Sequence, residues 1–320
     1  MNAAQPRWLR LVARAPRLAG QLARWGLPRR ALLFGPLSLG DDLLCTAVLR
    51  EARRRGMPFA MFTARPELFR GNADPARLLP IDDYYIAAIR RLGAKVHKPY
   101  YVSSDPQSPD RDILPPRHII AEMCRLAGLQ GTVALRPYFF LSAEESRRGR
   151  LHSNQIALHS SGLTAAIPYA NKEWGAARFA EVARLLAPTF KLVQIGSKND
   201  PTLPVDSDLR GKTTVRETAA VLAASRVFIG LEGFLAHLAR AVDCPAVVIL
   251  GGRARPETFG YAANRNFYSE LPCAPCGRRS TCEYGLECMA RITPVAVATA
   301  ARELAGRAPG PLPVDTADLP

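Results

Sequence analysis

Short apolar runs, each closed by a turn and followed by a helix-length stretch, recur along this 320-residue chain and leave few folds open to it. Runs of four or five consecutive apolar residues read as strands buried on both faces, the condition of a parallel sheet covered by helices. The first, residues 31–34, leads through the turn Gly35-Pro36-Leu37-Ser38-Leu39-Gly40 into a helix predicted over 41–55. A strand at 59–62 and helices at 76–92 and 117–126 follow, and the Pro-, Ser- and Asp-rich stretch 98–116 reads as loop. The pattern restarts at 155–159. It continues with helices at 176–186, 215–224, 235–241 and 294–305, and with strands at 191–195, 227–229 and 246–250. The restart places a boundary near residue 151. The expectation is therefore an α/β chain of two lobes, 31–150 and 151–306, with an arm at 1–30 and a Pro-rich tail, 307–320, that should be disordered.

Forty-three Lys and Arg stand against 28 Asp and Glu, and the resulting charge of +15 favours polyanions as partners: phosphosugars, anionic lipid or nucleic acid. Much of the excess lies in the arm, which has no acidic residue but carries Arg7, Arg10, Arg14, Arg17, Arg24, Arg29 and Arg30. At about 100° per residue, Trp8, Leu11, Val12, Leu18, Leu22 and Trp25 share one side of a helix, with Arg10, Arg14, Arg17 and Arg24 on the other. Two readings stay open: a helix lying on an anionic membrane, or one packed on the protein's own body, while an organellar presequence fits less well. Pro16 predicts a kink or two short helices. Nucleic acid is not an expected partner, because the basic residues do not interleave with aromatics and no groove-reading motif is present. No stretch reaches the roughly 20 apolar residues of a membrane span, so the expected location is the cytoplasm, with peripheral contact at the inner face of the membrane as an option.

Two local features carry chemistry. Gly40-Asp41-Asp42 sits where a strand hands over to a helix, the position at which open α/β sheets bind ligands, although an Asp there can equally cap the helix. Cys273, Cys276, Cys282 and Cys288 crowd into sixteen residues while Cys45, Cys124 and Cys244 are scattered. In a reducing compartment four such thiolates suit a structural Zn or Fe ion better than disulfides.

Taken in order, Leu39-Gly40-Asp41, Thr46-Ala47-Val48-Leu49, Asn171-Lys172-Glu173-Trp174, Gln194-Ile195-Gly196, Leu209-Arg210-Gly211-Lys212-Thr213 and Gly230-Leu231-Glu232-Gly233 with His237 resemble the motifs of the heptosyltransferase family, glycosyltransferase family 9. The resemblance covers residues 31–306. It implies a GT-B architecture of two Rossmann-like domains facing a central cleft. It also implies inverting transfer of a sugar, heptose by family default, from an ADP-heptose-like donor to a glycan or lipid-linked acceptor such as the lipopolysaccharide core. No catalytic metal is implied. Asp41 takes the place of the family's proposed general base, with Asp42 as the alternative, capping the helix or facing solvent. Lys172 matches the phosphate-contacting lysine, with Ser160, Ser161 and Gly162 nearby. Asp200, after Gly196, matches a ribose-binding carboxylate or is a turn residue. Thr213 and Thr214 line the adenine pocket, cap a helix, or both. Ala47 stands where Pro is common. The larger departure is Glu232-Gly233-Phe234, where the family has Asp, then Ser or Thr, then Gly; it leaves the Gly233 amide as the expected phosphate donor, with His237 retained. A GT-B epimerase or inactive scaffold is the alternative that this departure admits.

Overall fold

The computed structural model describes residues 7–35, 39–308 and 310–320, with side chains of 7–15 excepted. The predicted turn residues Pro36, Leu37 and Ser38 therefore lie outside the described residues. In the first lobe, helix α1 (Arg7–Trp25) precedes β1 (Arg30–Leu33), α2 (Leu39–Arg54), β2 (Ala60–Phe62), β3 (Arg77–Leu79), α3 (Asp83–Arg91) and β4 (Lys95–His97). The four strands form one parallel sheet in the order β3-β2-β1-β4. A hairpin, β5 (Ser103–Asp105) and β6 (Ser108–Ile113), then α4 (Ile119–Leu126), β7 (Gly131–Ala134) and α5 (Ala143–Arg148) lead to the second lobe.

There β8 (Gln155–Leu158), α6 (Ala176–Leu186), β9 (Lys191–Gln194), β10 (Ser207–Asp208), α7 (Val215–Ala224), β11 (Val227–Leu231), α8 (Phe234–Ala241), β12 (Ala246–Gly251), α9 (Pro256–Phe259) and β13 (Arg265–Tyr268) build a six-stranded parallel sheet ordered β10-β9-β8-β11-β12-β13. Strands β8, β11 and β12 are buried at every position, as strands covered on both faces must be. The strand order reverses between β8 and β11, so the loops leaving these two strands flank the crevice where such sheets take ligands. Helices α10 (Glu287–Ala290) and α11 (Pro294–Ala305) and strand β14 (Thr316–Leu319) complete the chain.

The lobes share a continuous core. Leu43, Leu44 and Val48 of α2 belong to the same buried cluster as Ala236, Leu238 and Ala239 of α8. Buried Arg216 at the start of α7 reaches across to Glu145 of α5 (2.5 Å and 2.7 Å) and to the carbonyls of Glu67 and Phe140.

Several expectations are corrected here. The stretch 76–92 is not one helix: it begins as β3, and Pro80 and the Asp82 cap, whose carboxylate accepts from the Tyr85 amide, start α3 only at Asp83. The stretch 98–116 holds the β5–β6 hairpin. The described part of the tail is held in place: β14 pairs antiparallel with β7, the Asp315 carbonyl accepts from the Leu135 amide (2.7 Å), and Arg240 donates to the Pro313 carbonyl (2.8 Å). Composition misread it because its partners lie more than seventy residues away. Helix α1 runs on through Pro16 as one element. Its Leu18, Leu22 and Trp25 pack on the first lobe and Arg17 pairs with Asp82, so the part from Arg17 onward lies on the protein's own body.

Candidate active site

Helix α2 starts at Leu39, which puts Asp41 and Asp42 inside its first turn rather than at its cap. Neighbouring residues on a helix point about 100° apart, and these two part company accordingly. Asp42 turns into the first lobe, where it is buried and accepts from Thr63 Oγ1 (2.9 Å) with Arg65 at 3.5 Å; it neither caps the helix nor faces solvent. Asp41 turns toward the cleft, where its Oδ1 accepts a 2.6 Å hydrogen bond from the Tyr101 hydroxyl. Burial lifts both carboxyls to about 6, against the Tyr101 bond for Asp41 and against Thr63 and Arg65 for Asp42. Asp41 also lies within the field of Lys172 and Glu232. The first-lobe motif and the divergent second-lobe motif thus meet, and a Cβ on Gly40 would stand 3.7 Å from Phe234.

Lys172 ends a single 3-10 turn (Ala170–Lys172), and Glu232 follows directly on β11. Their side chains form a largely buried ion pair, Nζ to Oε2 2.5 Å. Burial draws the Lys172 ammonium below its ordinary range despite Glu232; burial pushes the Glu232 carboxyl up, but Lys172, Arg253 and His237 outweigh it and hold the acid below its usual value. Gly233, at the N-terminus of α8, has φ +153° and open space where a Cβ would be, which suits approach of a ligand to its backbone. His237, buried one turn further on, pairs through Nδ1 with the Tyr261 hydroxyl (2.7 Å); burial lowers it to about 4, so it is neutral near pH 7.

Other sequence-predicted donor residues are spent within the protein. The Ser160 hydroxyl donates to the Pro201 carbonyl (2.9 Å) and accepts from Gln194, and Ser161 Oγ accepts from the Leu163 amide (3.2 Å). The Gly162 amide is taken by Glu173 (2.7 Å). Asp200 is buried, one oxygen on Thr164 (2.6 Å) and the other on the Ser197 amide (2.8 Å), with His159 at 3.4 Å. Gly196 is required by this arrangement, since a Cβ there would come within 2.3 Å of Asp200. Thr214 caps α7 in a capping box with Glu217, and Thr213 Oγ1 lies 2.9 Å from Thr218 Oγ1. Both threonines border a crevice of about 600 Å³ between the lobes, with Glu67 and Arg70 on its far side.

Sequence reasoning missed a cationic cluster beside Lys172. Around the Tyr169 ring stand Lys172 Nζ (4.9 Å from its centre), the Arg253 guanidinium (4.6 Å) and that of Arg279 (5.9 Å). Asp112 of β6, fully buried, bonds both arginines. One signal was available: Arg253 follows β12 through Gly251-Gly252, at the end of a parallel strand where ligands gather. Asp112 and Arg279 meet only because the hairpin clamps the cysteine loop, where Asp110 takes the Ser280 and Thr281 amides. All four cysteines of that loop line one cavity of about 210 Å³. Among the described residues, however, no three His, Cys, Asp or Glu side chains gather closely enough to hold a metal ion.

Residues 137–286 match the family described as glycosyltransferase family 9 (heptosyltransferase). Lipopolysaccharide heptosyltransferase 1 of Pseudomonas aeruginosa is 31% identical over 112 residues, covering 35% of this chain and 27% of that protein. The match thus spans about a quarter of that curated relative's length. Among solved structures, ADP-heptose lps heptosyltransferase II of E. coli superposes with a TM-score of 0.62 at 17% identity, over 86% of this chain and 98% of that one. The iron-containing dodecameric glycosyltransferase TibC of enterotoxigenic E. coli does so with 0.67 at 16% identity, over 87% and 76%. Together with the two parallel sheets, these likenesses identify the fold as GT-B.

Proposed function

We propose that this chain, whose residues 137–286 match glycosyltransferase family 9, transfers a sugar, in the first instance heptose, from an ADP-linked donor to a glycan acceptor with inversion. The single observation that carries the reading is that Asp41 of one lobe lies within the field of Lys172 and Glu232 of the other, where Gly40 comes up against Phe234. Asp41 would take the proton of the acceptor hydroxyl as that oxygen attacks the anomeric carbon. The bond from carbon to the diphosphate oxygen breaks on the opposite face, and its electron pair leaves with ADP. Lys172 and the Gly233 amide would supply the cation and the hydrogen-bond donor that this growing charge needs. ADP-heptose is taken as donor because one similar solved structure, TibC, is described in complex with ADP-D-beta-D-heptose. Lipopolysaccharide is taken as acceptor because the curated relative is named for it. The test is acceptor-dependent release of ADP from ADP-heptose. No ADP release with or without acceptor would favour the scaffold reading, and isomerised donor sugar without net ADP release the epimerase reading, both of which the Glu232-Gly233-Phe234 departure admits.

The cysteine loop belongs to the same proposal as the holder of one structural Zn or Fe ion. Its support is the donor set, four cysteines bordering one cavity, and the iron-containing neighbour. About one Zn or Fe per chain is expected in anaerobically purified protein. Metal analysis giving none would remove the ion from this account.

The basic arm is proposed as a peripheral membrane contact on the cytoplasmic face. With Leu18, Leu22 and Trp25 on the first lobe, the contact falls to residues before them. Full-length protein should float with phosphatidylglycerol vesicles, and changing Arg7, Arg10 and Arg14 to Gln should abolish most of that flotation. Equal flotation of the two proteins would assign α1 a purely internal role.

A further inference from the structure

We propose that Tyr101 is the positioning residue of the base: its hydroxyl holds Asp41 Oδ1, leaving Oδ2 to receive the acceptor proton, and its ring ties this orientation to the second lobe. The proposal rests on the reading of Asp41 as base.

Tyr101 lies between β4 and β5, and β4 is the neighbour of β1 at the edge of the sheet that delivers α2. Its Oη approaches Asp41 Oδ1 at 2.6 Å, the length of a charge-assisted bond between a hydroxyl and a carboxylate. A carboxylate can rotate about its last torsion and offer either oxygen. One donor fixed at Oδ1 removes that freedom and sets the plane of the group, the kind of orientation that general-base catalysis rewards. The ring is held as well: it sits 6.1 Å from Phe34 at the end of β1 and 6.2 Å, edge on, from Phe259 of α9 in the other lobe. The hydroxyl therefore points at Asp41 from a ring packed on both sides of the cleft.

Tyr100 supplies the contrast. Its hydroxyl donates to the Phe34 carbonyl (2.5 Å), a backbone contact on an exposed side chain. Two adjacent tyrosines thus have different partners, and only one addresses the candidate base. Tyr101 also stays a donor: burial and then the Asp41 carboxylate keep its phenol protonated well above its ordinary range. Its hydrogen bond lowers Asp41 against the burial that raises it, so removing the hydroxyl should raise the Asp41 carboxyl further.

The test uses the full-length chain with Tyr101→Phe, which keeps the ring and its packing, and Tyr100→Phe as the neighbour control. Two readings are taken: the pH profile of ADP release from ADP-heptose in the presence of lipopolysaccharide acceptor, and the titration of the Asp41 carboxyl by carbon-13 NMR. The NMR signal is identified by its loss in Asp41→Asn and needs no acceptor. Tyr101→Phe should lower kcat by about 10- to 100-fold, the worth of one hydrogen bond to a charged group, with KM for the donor little changed. Both the acid limb and the carboxyl titration should move to higher pH. Tyr100→Phe should move neither, and Tyr101→Phe added to Asp41→Asn should cost nothing more. If Asp41→Asn abolishes turnover while Tyr101→Phe leaves both kcat and the titration at wild-type values, the positioning role is wrong and the base reading stands. If Asp41→Asn keeps turnover, the base reading itself falls.

Discussion

Asp41→Asn is expected to lower acceptor-dependent ADP release by about 10²- to 10⁴-fold, the usual worth of a positioned general base, while Asp42→Asn keeps turnover within about tenfold of wild type. The two carboxylates are adjacent in sequence and both are raised to about 6 by burial, so neither order in the chain nor acidity separates them. Direction does. Asp42 is buried among Thr63 and Arg65 inside the first lobe, where an acceptor hydroxyl has no room, whereas Asp41 is partly exposed at the cleft and faces Lys172 and Glu232. A base of this kind works only when ionised, so kcat/KM should fall as pH drops through about 6. The sign for stability is opposite. A carboxyl whose folded value lies above the ordinary 3.8 favours the folded state while protonated; that contribution is complete below about 3.8 and lost as pH rises through about 6. Asp41→Asn, which cannot ionise, should therefore gain melting temperature relative to wild type at pH 8, and that advantage should shrink as pH falls below about 6 and vanish only near 3.8. Turnover lost in Asp42→Asn and kept in Asp41→Asn would move the base to Asp42.

The frame of this molecule was legible because local pattern decides it. Helices predicted at 176–186, 215–224 and 294–305 have those bounds in the structure, and the apolar runs of β8, β11 and β12 are buried throughout. Asp41, Lys172 and Glu232 came from motif order, and the fold brings them to one cleft. Ser160, Ser161 and Asp200 show the limit of that method: short polar side chains in a loop have backbone groups within reach, and here they satisfy those first. Tyr101, Tyr169, Asp112 and Arg279 were not legible, and Arg253 had only its place after a parallel strand to mark it. Each comes from a loop, a hairpin or the cysteine segment, and its partner lies on a different element: Asp112 is 141 residues from Arg253 and 167 from Arg279. No spacing or periodicity encodes such a pair; it exists only once the lobes are closed on each other.

Asp112→Asn, which removes one charge and little volume, is expected to cost about 3–5 kcal/mol of stability, the usual penalty for breaking a buried ion pair from one side. The Asp112 side chain has no exposed surface and takes hydrogen bonds from Arg253, whose side chain is 3% exposed, and from Arg279 Nε at 2.9 Å. Without that charge, two guanidinium groups and Lys172 remain around Tyr169, and Glu232 is left as the acid in contact with Lys172. The surface pair Arg17–Asp82 is the control: its arginine is 60% exposed, and Arg17→Ala should cost no more than about 1 kcal/mol. Urea unfolding followed by circular dichroism measures both, and an Asp112→Asn midpoint equal to wild type would mean that the cluster is not holding the lobes together. The same cluster links stability to the proposed donor. A nucleoside diphosphate seated by Lys172 would return negative charge to a site that Asp112→Asn has left too positive. ADP should then raise the melting temperature of Asp112→Asn by more than it raises that of wild type, because a ligand that binds only the folded state stabilises it according to its affinity. An equal or smaller gain would place the diphosphate away from Arg253 and confine these arginines to clamping the hairpin onto the second lobe.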